Sequence, residues 1–278
     1  MKTVCFVNMK GGVGKTTLAL NVADCLAKIH SKKVAVIDVD PQFNITQCLF
    51  KPSDYVAHLK AGSDTVIDIF DDQTQSITSA VQGVERKKPK ELCDVELVNK
   101  ENLWVLPGNI DLYRLEMRTG EGREFAIQRF KEEALADQGF DYVIIDTPPT
   151  PSVWMTSALI ASDNYVIPVK PDPLSLIGID LLRNIIEARR KSYGLTLKCA
   201  GVVFTMVERT DSVIYRDART NLESNDYWKK YLIPGNIPKR AILAKNQLDA
   251  PFMLETEDFD LRTSLRDIVE ELIKRIEP

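Results

Sequence analysis

Near its start the sequence contains a glycine-rich run with a lysine on each side. The run comprises Lys10, Gly11, Gly12, Val13, Gly14, Lys15, Thr16 and Thr17. Glycines at this density let backbone N–H groups turn toward phosphate oxygens, Lys15 can reach the terminal phosphates, and the Thr16 hydroxyl is a ligand that Mg²⁺ accepts. A surface turn of small residues would not need two lysines, so the run predicts a loop that binds a nucleotide.

The flanking sequence predicts the elements that such a loop needs. Residues 3–7 are β-branched or apolar and indicate a short strand, while the apolar residues after the loop recur at helical spacing. Those helical residues are Ala19, Val22, Ala23 and Leu26. The loop therefore opens onto the N-terminus of a helix, whose unpaired N–H groups and positive dipole end favour an anion.

Two further apolar runs end in carboxylates. Residues 34–40 end with Asp38 and Asp40, and residues 142–146 end with Asp146 before two prolines. Continuous apolar runs are typical of parallel strands buried on both faces, and the carboxyl ends of such strands carry the chemistry of open α/β sheets. Asp146 is therefore predicted to hold a magnesium-bound water near Thr16. The alternative for Asp38 and Asp40 is a structural one, capping the strand end and the helix after Pro41.

The whole chain alternates strands with helices. This order predicts an α/β fold, a doubly wound and mainly parallel sheet with helices on both faces and nucleotide at its carboxyl edge. At 278 residues the chain is long for one domain, but this architecture reaches that size, so residues 1–278 are expected to form a single domain. The charged segment around 83–100 is expected to be a surface insertion.

The composition limits the classes of protein to which the chain can belong. The chain is 44% hydrophobic and 27% charged, as in globular proteins, and its net charge of -4 confines any nucleic-acid contact to a local patch. The five cysteines form no C-x-x-C pair, so neither a zinc site nor a disulfide framework is indicated, and a reducing cytoplasm fits best. No apolar run reaches the roughly 18 residues that a membrane span needs.

Three motifs resemble those of a known family. The run K-G-G-x-G-K-[ST]-[ST] resembles the deviant Walker A loop of the ParA/MinD family, and I-D-x-P-P at 145–149 is similar to its Walker B segment. The segment D-x-D-P-Q-x-N-x-T at 38–46 resembles its second signature, except that Phe43 stands where the family usually has glycine. The likeness extends loosely over the chain and is greatest to ParA/Soj-type partition ATPases without an N-terminal helix-turn-helix.

The resemblance implies roles for individual residues. Lys10 acts in trans on the partner's nucleotide within a dimer, Lys15 contacts the phosphates, Asp38 supports the Mg²⁺ shell, and Asp40 positions the attacking water. Three later residues, Thr205, Met206 and Pro238, are implied to lie near the adenine base. A methionine packed in the core is the alternative for Met206.

The implied activity is an ATP hydrolase that uses Mg²⁺ and dimerises when ATP binds. Such proteins hold DNA without sequence preference, work with a ParB-like centromere-binding adaptor and move plasmid or chromosome cargo. Their intrinsic hydrolysis is weak and is stimulated by the adaptor and DNA. A cytoplasmic, nucleoid-associated location is expected, and operator binding is not, because no helix-turn-helix precedes the first strand.

Basic residues that are candidates for DNA contacts cluster late in the chain. The candidates are Arg189, Arg190, Lys191, Arg216, Arg219, Lys230, Lys239 and Arg240. Phosphate contacts suffice for binding that ignores sequence, and dimerisation doubles the patch. The alternative is that each residue belongs to an ordinary solvated face.

Two other functions remain open at this point. The apolar stripe of the last helix, residues 265–276, would suit a MinD-like membrane-associated positioning ATPase, but its acidic residues offset its basic ones, so packing on the domain is favoured and no membrane partner is expected. An iron–sulfur reductase relative would need paired cysteines at a dimer interface.

Overall fold

The computed structural model describes residues 1–70, 90–117, 122–172, 175–241, 243 and 252–277. The predicted insertion at 83–100 lies partly outside these ranges. Its residues 90–100 contain a 3-10 turn at Leu92–Asp94 and a short strand, β3, at Val98–Lys100.

Eight strands form one sheet in the order β3-β4-β2-β5-β1-β6-β7-β8. Every neighbouring pair is parallel except β3 with β4. Besides β3, the strands are β1 at Lys2–Phe6, β2 at Val34–Asp38, β4 at Leu103–Leu106, β5 at Tyr142–Asp146, β6 at Asn164–Val169, β7 at Lys198–Val207 and β8 at Leu232–Pro238. The predicted mainly parallel sheet is therefore confirmed.

Helices connect the strands. They are α1 at Lys15–Lys28, α2 at Asn44–Leu49, α3 at Pro52–Lys60, α4 at Ile67–Phe70, α5 at Leu112–Glu116, α6 at Ala126–Phe130, α7 at Val153–Ala161, α8 at Ser175–Tyr193, α9 at Val213–Ser224 and α10 at Phe259–Ile276. The helix α6 continues through a π-helical turn at Lys131–Leu135 and a 3-10 turn at Ala136–Gln138.

The sheet has a hydrophobic core on each face. Along the first strand and the residue that follows it, Val4 and Phe6 pack into one core, while Cys5 and Val7 pack into the other. This alternation is the period of two that an extended strand imposes on its side chains. Because both faces are covered, strands such as β2 and β5 are buried along their full length, which explains their continuous apolar sequences.

The last helix, α10, packs its apolar stripe onto the domain. Leu265, Ile268, Val269, Leu272 and Ile276 are all buried, in the core that α10 shares with α1. The packing interpretation of the stripe is thus confirmed, and the residues that would enter a lipid surface are already covered. No helix in the described ranges combines the length and apolarity that crossing a bilayer requires.

The contact between β7 and β8 leaves no room for a side chain at Gly201. A methyl group there would lie 2.6 Å from Cγ1 of Ile233, which is fully buried. We expect Gly201→Ala to lower the free energy of unfolding by about 1–3 kcal/mol, because a buried neighbour would have to move. Urea unfolding of the wild type and the variant measures this difference in the free energy of unfolding.

The matched control is Gly178→Ala, in α8, where an added methyl group meets nothing within 4 Å. This variant should be neutral or slightly stabilising, since alanine is the better helix former. Equal stability of both variants would contradict the packing described for β7.

Candidate functional site

The glycine-rich loop lies between β1 and the start of α1. Gly12 and Gly14 have φ angles of 69° and 75°, a left-handed conformation that favours glycine. Gly14 is the N-cap of α1, and its carbonyl accepts the first helical hydrogen bond from Leu18 at 2.9 Å. Gly14 has no side chain with which to cap this helix and no acidic residue lies in the first turn, so the N-terminal N–H groups are suited to an anion. This is the geometry in which a helix start binds an anion.

Lys15 and Thr16 both meet the carboxylate of Asp146. The Thr16 hydroxyl donates to Asp146 Oδ2 at 2.7 Å, and Lys15 Nζ lies 3.7 Å from Asp146 Oδ1. Lys15 is 7% exposed and Asp146 is fully buried. Burial raises the pKa of Asp146, while the charge of Lys15 and the Thr16 hydrogen bond oppose that rise. The structure thus brings three of the predicted site residues together.

A second buried carboxylate, Asp38, lies beside Asp146 in the neighbouring strand. The two residues are partners in the register of β2 and β5. Asp38 Oδ2 accepts from the backbone N–H of Thr46 at 2.9 Å and from its hydroxyl at 2.8 Å. Burial, with the like charge of Asp146, raises the pKa of Asp38 to about 8.

The oxygens in this cluster fit Mg²⁺. Asp38 Oδ1 and Asp146 Oδ1 are buried and have no hydrogen-bond partner among the described residues. Together with the Thr16 hydroxyl they form a set of hard oxygen ligands, and Mg²⁺ at nucleotide sites uses one or two carboxylates with phosphates and waters. In the described ranges no three His, Cys, Asp or Glu side chains are grouped so that they alone could hold a metal ion.

Asp40 lies just beyond β2 and is also buried, with 3% of its surface exposed. Its Oδ1 accepts from the backbone N–H of Gln42 at 2.9 Å, and its carbonyl accepts from that of Phe43 at 2.7 Å. Burial raises the pKa of Asp40, and the Gln42 hydrogen bond and the charge of Lys15 counter that rise. The helix-capping alternative is therefore wrong for Asp40, because Gln42 precedes α2, whose N-cap is Phe43. It applies to Asp38, which accepts from the N–H of Thr46 in the first turn of α2.

Phe43, at the position where the family usually has glycine, adopts a backbone conformation that favours glycine. Its φ and ψ are 40° and 47°, in the left-handed region, and it is the N-cap of α2. The departure from the family pattern therefore changes the side chain and leaves the loop in a glycine-like shape.

Lys10 is the exposed lysine of the loop, with 51% of its side chain accessible. Its ammonium forms an ion pair with Asp172, which follows β6 in the same chain. Its backbone N–H donates to Asn8 Oδ1 at 2.9 Å, and the Asn8 amide donates to the Pro168 carbonyl at 2.6 Å. These contacts attach the loop to the end of β6. Asn8 and Asp172 were not identified from the sequence, since neither belongs to a motif.

Thr205 and Met206, near the end of β7, pack behind the loop. The Thr205 hydroxyl donates to the Val13 carbonyl at 2.5 Å, and a methyl group on Gly14 would lie 3.5 Å from Met206 Cγ. Pro238 ends β8 beside Val207, so the three residues implied for the base lie at adjacent strand ends. Met206 is half-buried, and contact of these residues with a base stays a prediction.

Half of the eight basic candidates for DNA contact form ion pairs with carboxylates of the same chain. The pairs are Arg190 with Glu187, Arg219 with Glu223, Lys239 with Glu208 and Arg240 with Asp258. Arg216 donates to the Asp211 carbonyl, and Lys230 lies over the rings of Tyr227 and Tyr231. The interpretation as a solvated face thus applies to the paired residues, and a DNA contact stays a prediction.

A glycine loop between a strand and a helix, with a lysine and a threonine facing a carboxylate on the adjacent parallel strand, defines a P-loop nucleotide-binding protein. The family model described as an AAA domain matches residues 1–199, and the chain belongs to that family. It also belongs with the ParA/Soj partition ATPases, which confirms the resemblance seen in its motifs.

Among curated proteins, the chain is 32% identical over 249 residues to the sporulation initiation inhibitor protein Soj of Bacillus subtilis, covering 85% of each sequence. It is 28% identical over 246 residues to the chromosome partitioning protein ParA of Myxococcus xanthus, covering 88% of this chain and 77% of that protein. A plasmid partition protein of Borrelia burgdorferi, solved with AMPPNP, has the same fold, with a TM-score of 0.76, 21% identity and 99% coverage of both chains.

The buried carboxylates predict an unusual pH dependence of stability. The pKa of Asp38 is higher in the folded chain than its ordinary 3.8, so between about pH 5 and about pH 8 the folded state binds more protons than the unfolded state. Stability of the nucleotide-free protein in EDTA should therefore fall as pH rises across this interval. Asp38→Asn should flatten the decline, as measured by thermal melting.

Asp54→Asn, on the exposed side of α3, serves as the control and should leave the slope unchanged. A wild-type decline no steeper than that of Asp38→Asn would mean that Asp38 is ionised in the folded chain throughout the interval.

Proposed function

We propose that this chain is a partition-type ATPase that binds ATP with Mg²⁺, dimerises over two nucleotides and hydrolyses them. The observation that carries the proposal is the contact of Lys15 and Thr16 with the buried Asp146, beside a second lysine that remains near the surface. The ParA and Soj relatives support the partition role.

Each residue in the site has a distinct part in this proposal. Lys15 and the loop N–H groups hold the phosphates, and Thr16, Asp146 and Asp38 are the oxygen ligands for Mg²⁺. The metal, when bound, would neutralise charge that develops on the phosphates. Asp40, held by the Gln42 N–H, orients the attacking water. Catalysis of this kind consists mainly of positioning and of fixed charge.

Lys10 supplies the dependence on dimerisation. In the proposed dimer it leaves Asp172 and contacts the partner's nucleotide. Ion pairs this exposed contribute only about 0–1 kcal/mol, so giving up the Asp172 contact opposes the exchange weakly. The triphosphate of the partner's nucleotide carries more negative charge than the Asp172 carboxylate that Lys10 leaves. In this proposal, hydrolysis therefore occurs only when two chains have associated.

Non-specific binding of duplex DNA and a ParB-like adaptor complete the proposal. Among the basic candidates, Arg189, Lys191, Arg216 and Lys230 form no ion pair with a carboxylate in the described part of the chain, unlike the other four, and are the better candidates for phosphate contacts. A cytoplasmic, nucleoid-associated location follows from such binding. The MinD-like alternative has no supporting observation, because the α10 stripe is buried.

A matched pair of variants tests the switch. With ATP and Mg²⁺, Asp40→Ala should accumulate as a dimer and hydrolyse ATP about a hundredfold more slowly than wild type, because water positioning is lost while the phosphate contacts remain. Lys10→Ala should bind ATP but stay monomeric, because the contact across the interface is missing. Light scattering coupled to gel filtration and a phosphate-release assay give the two readouts.

Asp211→Ala removes a carboxylate from an exposed ion pair with Arg209 and is the control for both variants. A monomeric wild type at saturating non-hydrolysable ATP analogue would rule out the dimer, and wild-type hydrolysis by Asp40→Ala would rule out the role of Asp40.

DNA binding has its own test. ATP-loaded protein should retard duplex DNA of any sequence, and its affinity should fall steeply with salt. Lys230→Ala should reduce the slope of log affinity against log salt by about 1, if Lys230 meets a phosphate. Lys239→Ala should change it less, since Glu208 already neutralises that lysine. No retardation even at low salt would remove the DNA-binding part of the proposal.

A further inference from the structure

Phe43 combines a bulky side chain with a backbone conformation that glycine normally adopts. Its φ of 40° and ψ of 47° lie in the left-handed region, which few non-glycine residues occupy. Such a conformation persists only where the surroundings enforce it. Phe43 is three residues from Asp40, so the forces that hold it act directly on the loop of the proposed water-orienting residue.

The ring of Phe43 is held by α3. It stacks on the ring of Tyr55, with the centroids 5.5 Å apart and an angle of 23° between the planes. The backbone N–H of Phe43 donates to the Asp40 carbonyl at 2.7 Å, and its carbonyl accepts from the N–H of Gln47 at 3.0 Å. The stacked ring and the two backbone hydrogen bonds together fix the peptide that follows Asp40.

The same contacts continue to the other carboxylate of the site. The Tyr55 hydroxyl donates to the Gly108 carbonyl at 2.7 Å, and the Gly108 N–H donates to the Thr46 hydroxyl oxygen at 2.7 Å. Thr46 in turn donates to Asp38 at 2.8 Å. The Thr46 hydroxyl can accept from Gly108 and donate to Asp38 at once, so both hydrogen bonds can form together.

Gly108 closes the network by its lack of a side chain. A methyl group there would lie 2.6 Å from Phe43 Cβ and 3.0 Å from Asp38 Cγ. The backbone of Gly108 therefore packs directly against both residues. Phe43 is accommodated only because position 108 is glycine.

The helix α3 is attached to the domain mainly through aromatic rings. None of its residues is buried, and Tyr55 and His58 contact Phe50, which follows α2. With the stack on Phe43, these rings connect a peripheral helix to the loop of Asp40. Helices with few buried contacts open at the low end of a protein's stability range.

We propose that Phe43 is a positioning residue whose ring, clamped by Tyr55 of α3, holds the Asp40 peptide in its hydrolytic orientation. Docking of α3 thereby sets the rate of ATP hydrolysis. The inference rests on the proposed function for its catalytic part. Glycine at position 43 would allow the same backbone shape but would remove the stacking contact with Tyr55 of α3.

The test compares Phe43→Gly with Phe43→Tyr, which keeps an aromatic ring. We expect Phe43→Gly to lower kcat about tenfold or more, because a misplaced catalytic group reacts slowly. The affinity for a fluorescent ATP analogue should stay within about twofold, since the contacts described above for Phe43 are with Tyr55, Gly108 and the backbone of Asp40 and Gln47. Phe43→Tyr should restore kcat, and Tyr55→Leu, which removes the other ring, should reproduce the loss.

Amide hydrogen exchange on the nucleotide-free protein supplies a second readout. Residues 52–60 should exchange faster in Phe43→Gly and in Tyr55→Leu than in wild type or Phe43→Tyr. The control is Glu101→Gly, at an exposed residue with a φ of 56° in the β3–β4 turn. It relieves the same kind of backbone conformation away from the site and should alter neither kcat nor the exchange of α3.

The proposal is overturned if Phe43→Gly hydrolyses ATP at the wild-type rate or if exchange in α3 is unchanged. A wild-type chain without ATPase activity would instead refute the proposed function, and with it the catalytic role of Phe43. The exchange measurement, made without nucleotide, would still decide whether Phe43 clamps α3.

Discussion

The site depends on one buried carboxylate, that of Asp146, at the end of the central strand β5. Removing an ionised carboxylate from water is unfavourable unless cations and hydrogen bonds replace the water. Lys15 and Thr16 supply these contacts, and both come from the loop that β1 delivers to the same edge. Because β5 lies between β1 and β2, the same residue also faces Asp38. The order of three strands thus fixes the distances within the site.

The parts of this arrangement with strong local signals could be predicted from the sequence. Apolar runs ending in Asp38 and Asp146 indicated buried parallel strands, and the glycines between Lys10 and Lys15 indicated the loop. The contacts that hold the site residues in place could not be predicted, because they come from residues that are distant in the sequence. Gly108 reaches Thr46 across 62 positions, and Asp172 reaches Lys10 across 162. Phe43 showed a departure from a pattern, but its contacts with Tyr55 and Gly108 come from other elements of the fold.

The ion pairs of the basic residues also could be predicted from the sequence only in part. Two ion pairs, Arg190 with Glu187 and Arg219 with Glu223, follow helical spacing and could be inferred from sequence alone. The partners of Lys239 and Arg240 come from other elements. A count of late arginines and lysines therefore overstates the charge that this surface offers to a polyanion, since carboxylates neutralise half of the candidates.

The two lysines of the loop differ in their freedom to move. Lys15 is buried against Asp146, so moving it away would leave a carboxylate without a counter-charge in the interior, which is strongly unfavourable. Lys10 is half exposed, and water can replace it at Asp172. A residue that must contact its own nucleotide is best held in place, and one that must reach a second protomer has to be released easily. The burial of the two side chains matches the roles proposed for them, because the same loop fixes one cation and leaves the other exchangeable.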